Sequence, residues 1–182
     1  MFPLVLDLSR QSVLVVGAGE VGSRKAAQLI AGGARVKVIA KEVLATLPDG
    51  VVSVEQRAYR RGDLTSVFLV VSATGDNEVN DVIVEEARAG NVLVNVVDDP
   101  ERSNFFFTAN HREGDVIVAV SSGGASPALA QWVRDRAASV VPVGLGTVAQ
   151  TLREERAALH ARSESTEHRD WKSRVEQLVN EL

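Results

Sequence analysis

The chain has 182 residues, 45% hydrophobic and 24% charged, enough for one full domain plus an appendage at roughly 100–200 residues per domain and too apolar for disorder. It has no cysteine and only three histidines, His111, His160 and His168, which excludes a disulfide scaffold, thiolate metal sites and thiol nucleophiles and makes a multi-histidine metal centre poor chemistry. A formal net charge of −4 argues against a nucleic-acid partner. With no basic n-region and no apolar run of ~18 residues, the sequence predicts a cytoplasmic protein with no membrane partner.

Short apolar runs alternate with helical stretches through the first two thirds of the chain. The predicted strands are Val13–Val16, Arg35–Ala40, Val51–Val54, Val67–Ser72, Val92–Val97 and Val116–Val120. Several are continuous β-branched runs without polar alternation, the mark of strands buried on both faces of a parallel sheet. Between them Val21–Gly32 and Glu78–Gly90 read as helices, each closed by a glycine suited to a C-cap. The alternation predicts an α/β fold, a Rossmann-like doubly wound parallel sheet.

After Ser121 the texture changes. Ser126 followed by Pro127 is an N-cap and first helical position, opening a helix to about Ser139. Pro142, Gly144 and Gly146 interrupt the next stretch. From Thr151 to Leu182 there are 6 basic and 7 acidic residues and no strand signal, so this part reads as solvated helices interrupted near Ser163–Thr166.

Val13–Val16 runs into Gly17-Ala18-Gly19-Glu20-Val21-Gly22 and then a helix. In this G-x-G-x-x-G turn the first glycine permits the tight turn and the second lets a pyrophosphate approach the backbone. The third packs helix against strand, and free amides at the helix start hold the anion. A lone glycine motif is weak, but here a strand precedes it, a helix succeeds it, and a second strand ends about twenty residues on. Residues Gly17, Ala18, Gly19, Glu20, Val21 and Gly22 are therefore expected to bind a dinucleotide. At the end of the second strand Glu42 suits a ribose 2′-hydroxyl, whereas Lys41 suits a 2′-phosphate, so the motif leaves NAD against NADP open.

Three further segments accompany the turn: Ser72-Ala73-Thr74-Gly75-Asp76-Asn77-Glu78-Val79-Asn80; Asn95-Val96-Val97-Asp98-Asp99-Pro100 with Asn104-Phe105; and Ala119-Val120-Ser121-Ser122-Gly123-Gly124-Ala125-Ser126-Pro127-Ala128-Leu129-Ala130. With Gly22-Ser23-Arg24-Lys25, these make the chain resemble the precorrin-2 dehydrogenase family of sirohaem biosynthesis, which includes the amino-terminal part of sirohaem synthase. The resemblance covers about Phe2 to Val143 and, more loosely, Arg169-Asp170-Trp171. It implies oxidation of precorrin-2 to sirohydrochlorin with NAD as cofactor, in some members with insertion of ferrous iron as well. It also implies three parts: a Rossmann-like NAD-binding domain at 1–113, a segment at 114–145 that builds a homodimer, and a helical carboxy-terminal domain at 146–182. The active-site cleft is then expected between the nucleotide domain and the dimer elements. Departures are Gly22 where alanine is usual, Gly75 for an aspartate, Thr108 for a proline and Glu113 for an arginine.

Ala73 and Thr74 join the cofactor-binding set on this resemblance. Asp98 comes directly after the Val92–Val97 run, at the strand end where open α/β sheets place their ligands. A carboxylate there can take the proton that leaves with the hydride; the resemblance singles out Asp98 as catalytic, and Asp99 is assigned to the turn before Pro100. The Ser122-Gly123-Gly124 loop offers successive amides to substrate carboxylates, with Ser122 presenting its hydroxyl. His111 and Arg112 complete the predicted substrate set, and Arg24, Lys25, Arg102 and Arg134 are further cations for a polyanionic tetrapyrrole. Of Phe105, Phe106 and Phe107, at least one is expected in the core. The alternatives are a bifunctional dehydrogenase and ferrochelatase, or a non-catalytic nucleotide- or tetrapyrrole-binding module.

Overall fold

A computed structural model describes all residues, Met1–Leu182, as two compact units, Met1–Phe106 and Phe107–Leu182. The first holds strands β1 (Ser12–Ala18), β2 (Arg35–Val43), β3 (Ser53–Gln56), β4 (Leu69–Ser72) and β5 (Leu93–Val96), with helices α1 (Glu20–Ala31) and α2 (Asn77–Ala89). The strands form one parallel sheet in the order β3-β2-β1-β4-β5. Val13 and Val15 of β1 are wholly buried, and so are Val70 and Val71 of β4. Their runs lack polar alternation because both faces of the central strands are covered. Leu14, Val70, Val94 and Ile83 meet in one cluster, each such side chain contributing about 1.5–3 kcal/mol of burial.

Capping residues move the helix ends from their predicted places. Asp76 accepts the Val79 N–H at 3.3 Å and starts α2 at Asn77. Gly32 and Gly90 do cap the helices, but with φ of −84° and −90°. The left-handed residues that turn the chain away come one position later, Gly33 at φ +88° and Asn91 at +54°, as a C′ position requires. The free edge of β5 is closed locally. The Asn104 side chain accepts the Val94 N–H at 2.8 Å and Ser103 Oγ accepts that of Val96 at 3.0 Å, which leaves few open edge amides to pair with another chain.

The second unit departs from the expected series. Val116–Val120 is a strand, β7, but it pairs antiparallel with β6 (Ala109–Glu113) in a separate two-stranded sheet. The sequence of β6, Ala-Asn-His-Arg-Glu, alternates half-buried and exposed and is too polar to be read as a strand. A two-residue turn with Gly114 at φ +59° fixes the hairpin register. Helix α3 (Pro127–Ala138) packs on both strands, and α4 (Leu145–Ala161) meets α5 (Trp171–Asn180). Ser126 caps α3 by accepting the Leu129 N–H at 3.2 Å, with Pro127 at the first position, as predicted. The phenylalanine expectation fails: Phe105 and Phe107 are half-buried and Phe106 is 40% exposed, because the run lies outside any strand. No helix is long and apolar enough to cross a membrane.

Candidate dinucleotide and catalytic site

The glycine turn has three different reasons for its three glycines. Gly17 has φ +104°, and a Cβ there would stand 2.5 Å from the Ala73 carbonyl oxygen. Gly22 faces the Gly17 carbonyl so closely that any side chain collides with it; this is what brings α1 tight against β1. At Gly19 a methyl group would meet no atom within 4 Å, so the backbone there is open to a bulky anion. Gly19 caps α1 without a side-chain hydrogen bond, leaving the first-turn amides and the positive end of the helix for a pyrophosphate. Ala18 contributes backbone alone: its side chain is buried and its carbonyl accepts from Leu44 and Ala45. Glu20 is exposed in the first turn and Val21 is half-buried.

Two neighbouring strands frame this turn. On one side Ser72, wholly buried, donates to Asn80 Oδ1 at 2.7 Å, and the Asn80 amide donates to the Thr74 carbonyl at 3.4 Å. This buried pair fixes Ala73 and Thr74 beside Gly17. On the other side Val16 pairs with Ile39 and Ala18 with Val43, so Ala40, Lys41 and Glu42 arch opposite Gly17 alone. Lys41 and Glu42 are both exposed. Lys41 Nζ lies 3.4 Å from Asp76 Oδ2, a partnership between residues 35 apart that no spacing rule foretells. Asp76 is held below the ordinary carboxyl value, chiefly by the Val79 N–H, with burial opposing this and Lys41 adding to it.

Asp98 and Asp99 part company in the structure. Asp99 accepts the Arg102 N–H at 3.1 Å and its guanidinium at 2.9 Å, while Arg102 also pairs with Asp81 at 2.8 Å. Asp99 is thus a turn residue, and Arg102 is committed to pinning that turn to α2. Asp98 is exposed and adopts φ +60°, a left-handed backbone uncommon outside glycine and concentrated at functional positions. Its charge is felt by half-buried Lys25. Burial and then Arg24 pull the Lys25 amine below its ordinary value, and Asp98 opposes them. In the sequence Lys25 is only one cation among several; folding brings it within electrostatic reach of Asp98.

In the second unit Gly123 and Gly124 both have positive φ, +68° and +86°, and are exposed. Ser122 spends its hydroxyl on its own loop, donating to the Ser126 carbonyl at 2.9 Å and accepting the Ser126 N–H at 3.0 Å. His111 is half-buried and Arg112 exposed; as consecutive residues of β6 they point to opposite faces. Arg134 pairs with Asp135 at 2.7 Å. A recess of about 330 Å³ in the tail is lined by Glu155, Arg169, Asp170, Trp171 and Arg174 and contains none of the predicted site residues.

A parallel sheet carrying G-x-G-x-x-G between its first strand and first helix, with the turn framed by the ends of both neighbouring strands, defines a Rossmann-like dinucleotide-binding domain. The NAD(P)-binding family model matches residues 4–109, and that of the sirohaem biosynthesis protein central domain matches residues 114–136. Sirohaem synthase of Chromobacterium violaceum is 40% identical over 165 residues, 88% of this chain and 35% of that protein. Sirohaem synthase of Stutzerimonas stutzeri is 36% identical over 171 residues, 92% of this chain and 37% of that protein. The chain therefore spans about a third of the length of these relatives. A solved structure titled SirC, precorrin-2 dehydrogenase, superposes with TM-score 0.71 and 28% identity, covering 100% of this chain and 88% of that one. The chain belongs to the NAD(P)-binding family, whose model matches residues 4–109, and it is similar to the sirohaem synthases and to the SirC structure.

Proposed function

We propose that the chain oxidises precorrin-2 to sirohydrochlorin in sirohaem biosynthesis, with NAD as hydride acceptor and Asp98 as general base. The observation that carries this reading is Asp98 itself. A carboxylate held exposed on left-handed backbone just past the carboxyl end of β5 stands at the strand edge where this sheet type places its chemistry. The reaction removes two hydrogens: precorrin-2 and NAD⁺ give sirohydrochlorin, NADH and a proton. A nicotinamide cofactor held through Gly17–Gly22, Ala73 and Thr74 would supply the acceptor for one hydrogen and its electron pair. The Asp98 carboxylate takes the other as a proton and passes it to water.

The cofactor-binding role falls to Gly17–Gly22, Lys41, Glu42, Ala73 and Thr74. Ser122, Gly123, Gly124, His111 and Arg112 are proposed to bind the substrate's carboxylates, supported by the exposure of Gly123, Gly124 and Arg112. The segment 114–145 is proposed to form a homodimer. Its support is the apolar face of α3, where Leu129 and Trp132 are 51% and 59% exposed, an arrangement that marks an interaction surface. The deciding experiment supplies anaerobic precorrin-2 and NAD and follows NADH absorbance against sirohydrochlorin formation. Equimolar rise of the two is expected; no turnover with either nicotinamide cofactor overturns the proposal.

A further inference from the structure

The turn that carries Asp98 is restrained from both of its ends. The Asp99 N–H donates to the Val96 carbonyl at 3.1 Å, so Val97 and Asp98 form the corner of a tight turn. Of these two only Asp98 has a positive φ, +60°, and a turn left-handed at its third position alone ordinarily takes glycine or asparagine there. An aspartate in that conformation persists only where its surroundings over-determine it. Ser103 supplies that restraint. Its half-buried hydroxyl accepts the Val96 N–H at 3.0 Å and donates to the Asp99 carbonyl at 2.8 Å, gripping the chain on either side of the corner. The buried Asn95 amide reaches the same hydroxyl oxygen at 3.5 Å and the Phe105 carbonyl at 3.0 Å, which holds the returning segment beside β5. None of these bonds uses the Asp98 carboxylate.

The single hydrogen and both acceptor sites of the Ser103 hydroxyl are thus spent on the turn and its flank. An alanine at this position would leave the Val96 N–H and the Asp99 carbonyl without that partner and free the corner to relax. We propose that Ser103 is a positioning residue for the reaction: its hydroxyl clamps Val96 to Asp99 and so fixes where the Asp98 carboxylate stands. This rests on the reading of Asp98 as general base and adds the residue on which the placement of that base depends. A catalytic group displaced by about 1 Å loses on the order of 10²-fold in rate. The glycine turn at Gly17–Gly22 belongs to a different loop, so the loss should fall on kcat and spare cofactor affinity.

The test joins turnover of anaerobic precorrin-2 with NAD to calorimetric NAD titration of the full chain. Ser103→Ala should lower kcat about 10–100-fold, while NAD affinity stays within about threefold of wild type, the sign of an intact nucleotide domain. Ser103→Thr, which keeps the hydroxyl, should regain most of the lost kcat. In an Asp98→Asn background Ser103→Ala should cost less than about threefold more, because a residue that acts through the base then has nothing left to position. A purely structural loss would repeat itself in both backgrounds. If Ser103→Ala does not fold, Ser103→Cys, which keeps the size and weakens the hydrogen bonds, takes its place in the same comparison. A kcat for Ser103→Ala within about threefold of wild type, an equal loss in both backgrounds, or no recovery in a folded Ser103→Thr overturns the proposal and leaves Asp98 as the base. Wild-type activity in Asp98→Asn removes both.

Discussion

Gly17→Ala and Gly19→Ala change the same motif by the same methyl group, yet the structure separates their consequences. At Gly17 the backbone has φ +104°, and the new Cβ would stand 2.5 Å from the Ala73 carbonyl oxygen and 2.8 Å from its carbon. Holding an L-residue there costs about 1–2 kcal/mol. Relieving the contact means moving the end of β4, whose Ala73 N–H is bonded to Val16 at 2.7 Å, and overpacking of this sort costs about 1–3 kcal/mol more. The sum, about 2–5 kcal/mol, is a large part of the roughly 5–15 kcal/mol that stabilises a domain, and it corresponds to a melting decrease on the order of 10 °C. At Gly19 φ is −85° and a methyl meets no atom within 4 Å, so folding should be nearly unaffected while the methyl fills the space a pyrophosphate needs. Thermal and denaturant unfolding of both variants, with nucleotide titration of each, checks this. Equal stability of Gly17→Ala and wild type, or equal destabilisation by the two substitutions, would refute the assignment of separate roles to these glycines.

Asp98→Asn should keep the backbone, since asparagine also tolerates φ +60°, and lower turnover by about 10²–10⁴ with nucleotide affinity retained; activity within tenfold of wild type would remove Asp98 as the base. Trp132→Glu places a charge on the apolar face of α3, beside Arg136 at 5.2 Å from the ring. Sedimentation should show a dimer for wild type and a monomer for the variant at unchanged melting temperature. Asp63 is pushed up by burial but pulled below its ordinary value of 3.8 by the Arg57 guanidinium and the Arg60 N–H, and Asp170 is lowered by the Ser173 hydroxyl and N–H. Such carboxylates bind protons less readily folded than unfolded, so their stabilisation is complete above the unfolded value and is lost as pH falls through 3.8 and below. Asp63→Asn, which breaks contacts of 2.7 and 2.8 Å to Arg57, should cost about 1–3 kcal/mol at neutral pH, and less below 3.8, in denaturant titrations at both.

The parallel sheet was legible in the sequence because strands buried on both faces leave no room for polar alternation, and the glycine turn because its conformation excludes side chains. Val13–Val16, the Gly17–Gly22 turn and the Ser126-Pro127 cap carry local rules that act within a few residues. Asp98 was legible as a residue at the end of a strand, but its left-handed backbone and the nearness of Lys25 are not written locally. The same holds for β6, whose polar sequence becomes a strand only because β7 offers it a ladder. Lys41 was ambiguous in sequence between two cofactors, since nothing in residues 35–45 names its partner. Tertiary structure supplied that partner, because a parallel sheet orders its strands by crossover rather than by sequence and so brings the ends of β2 and β4 to the two sides of β1. The amino-acid order by itself determined the class of domain and the presence of a nucleotide turn; which charges face that turn was decided only by the folding of distant segments around it.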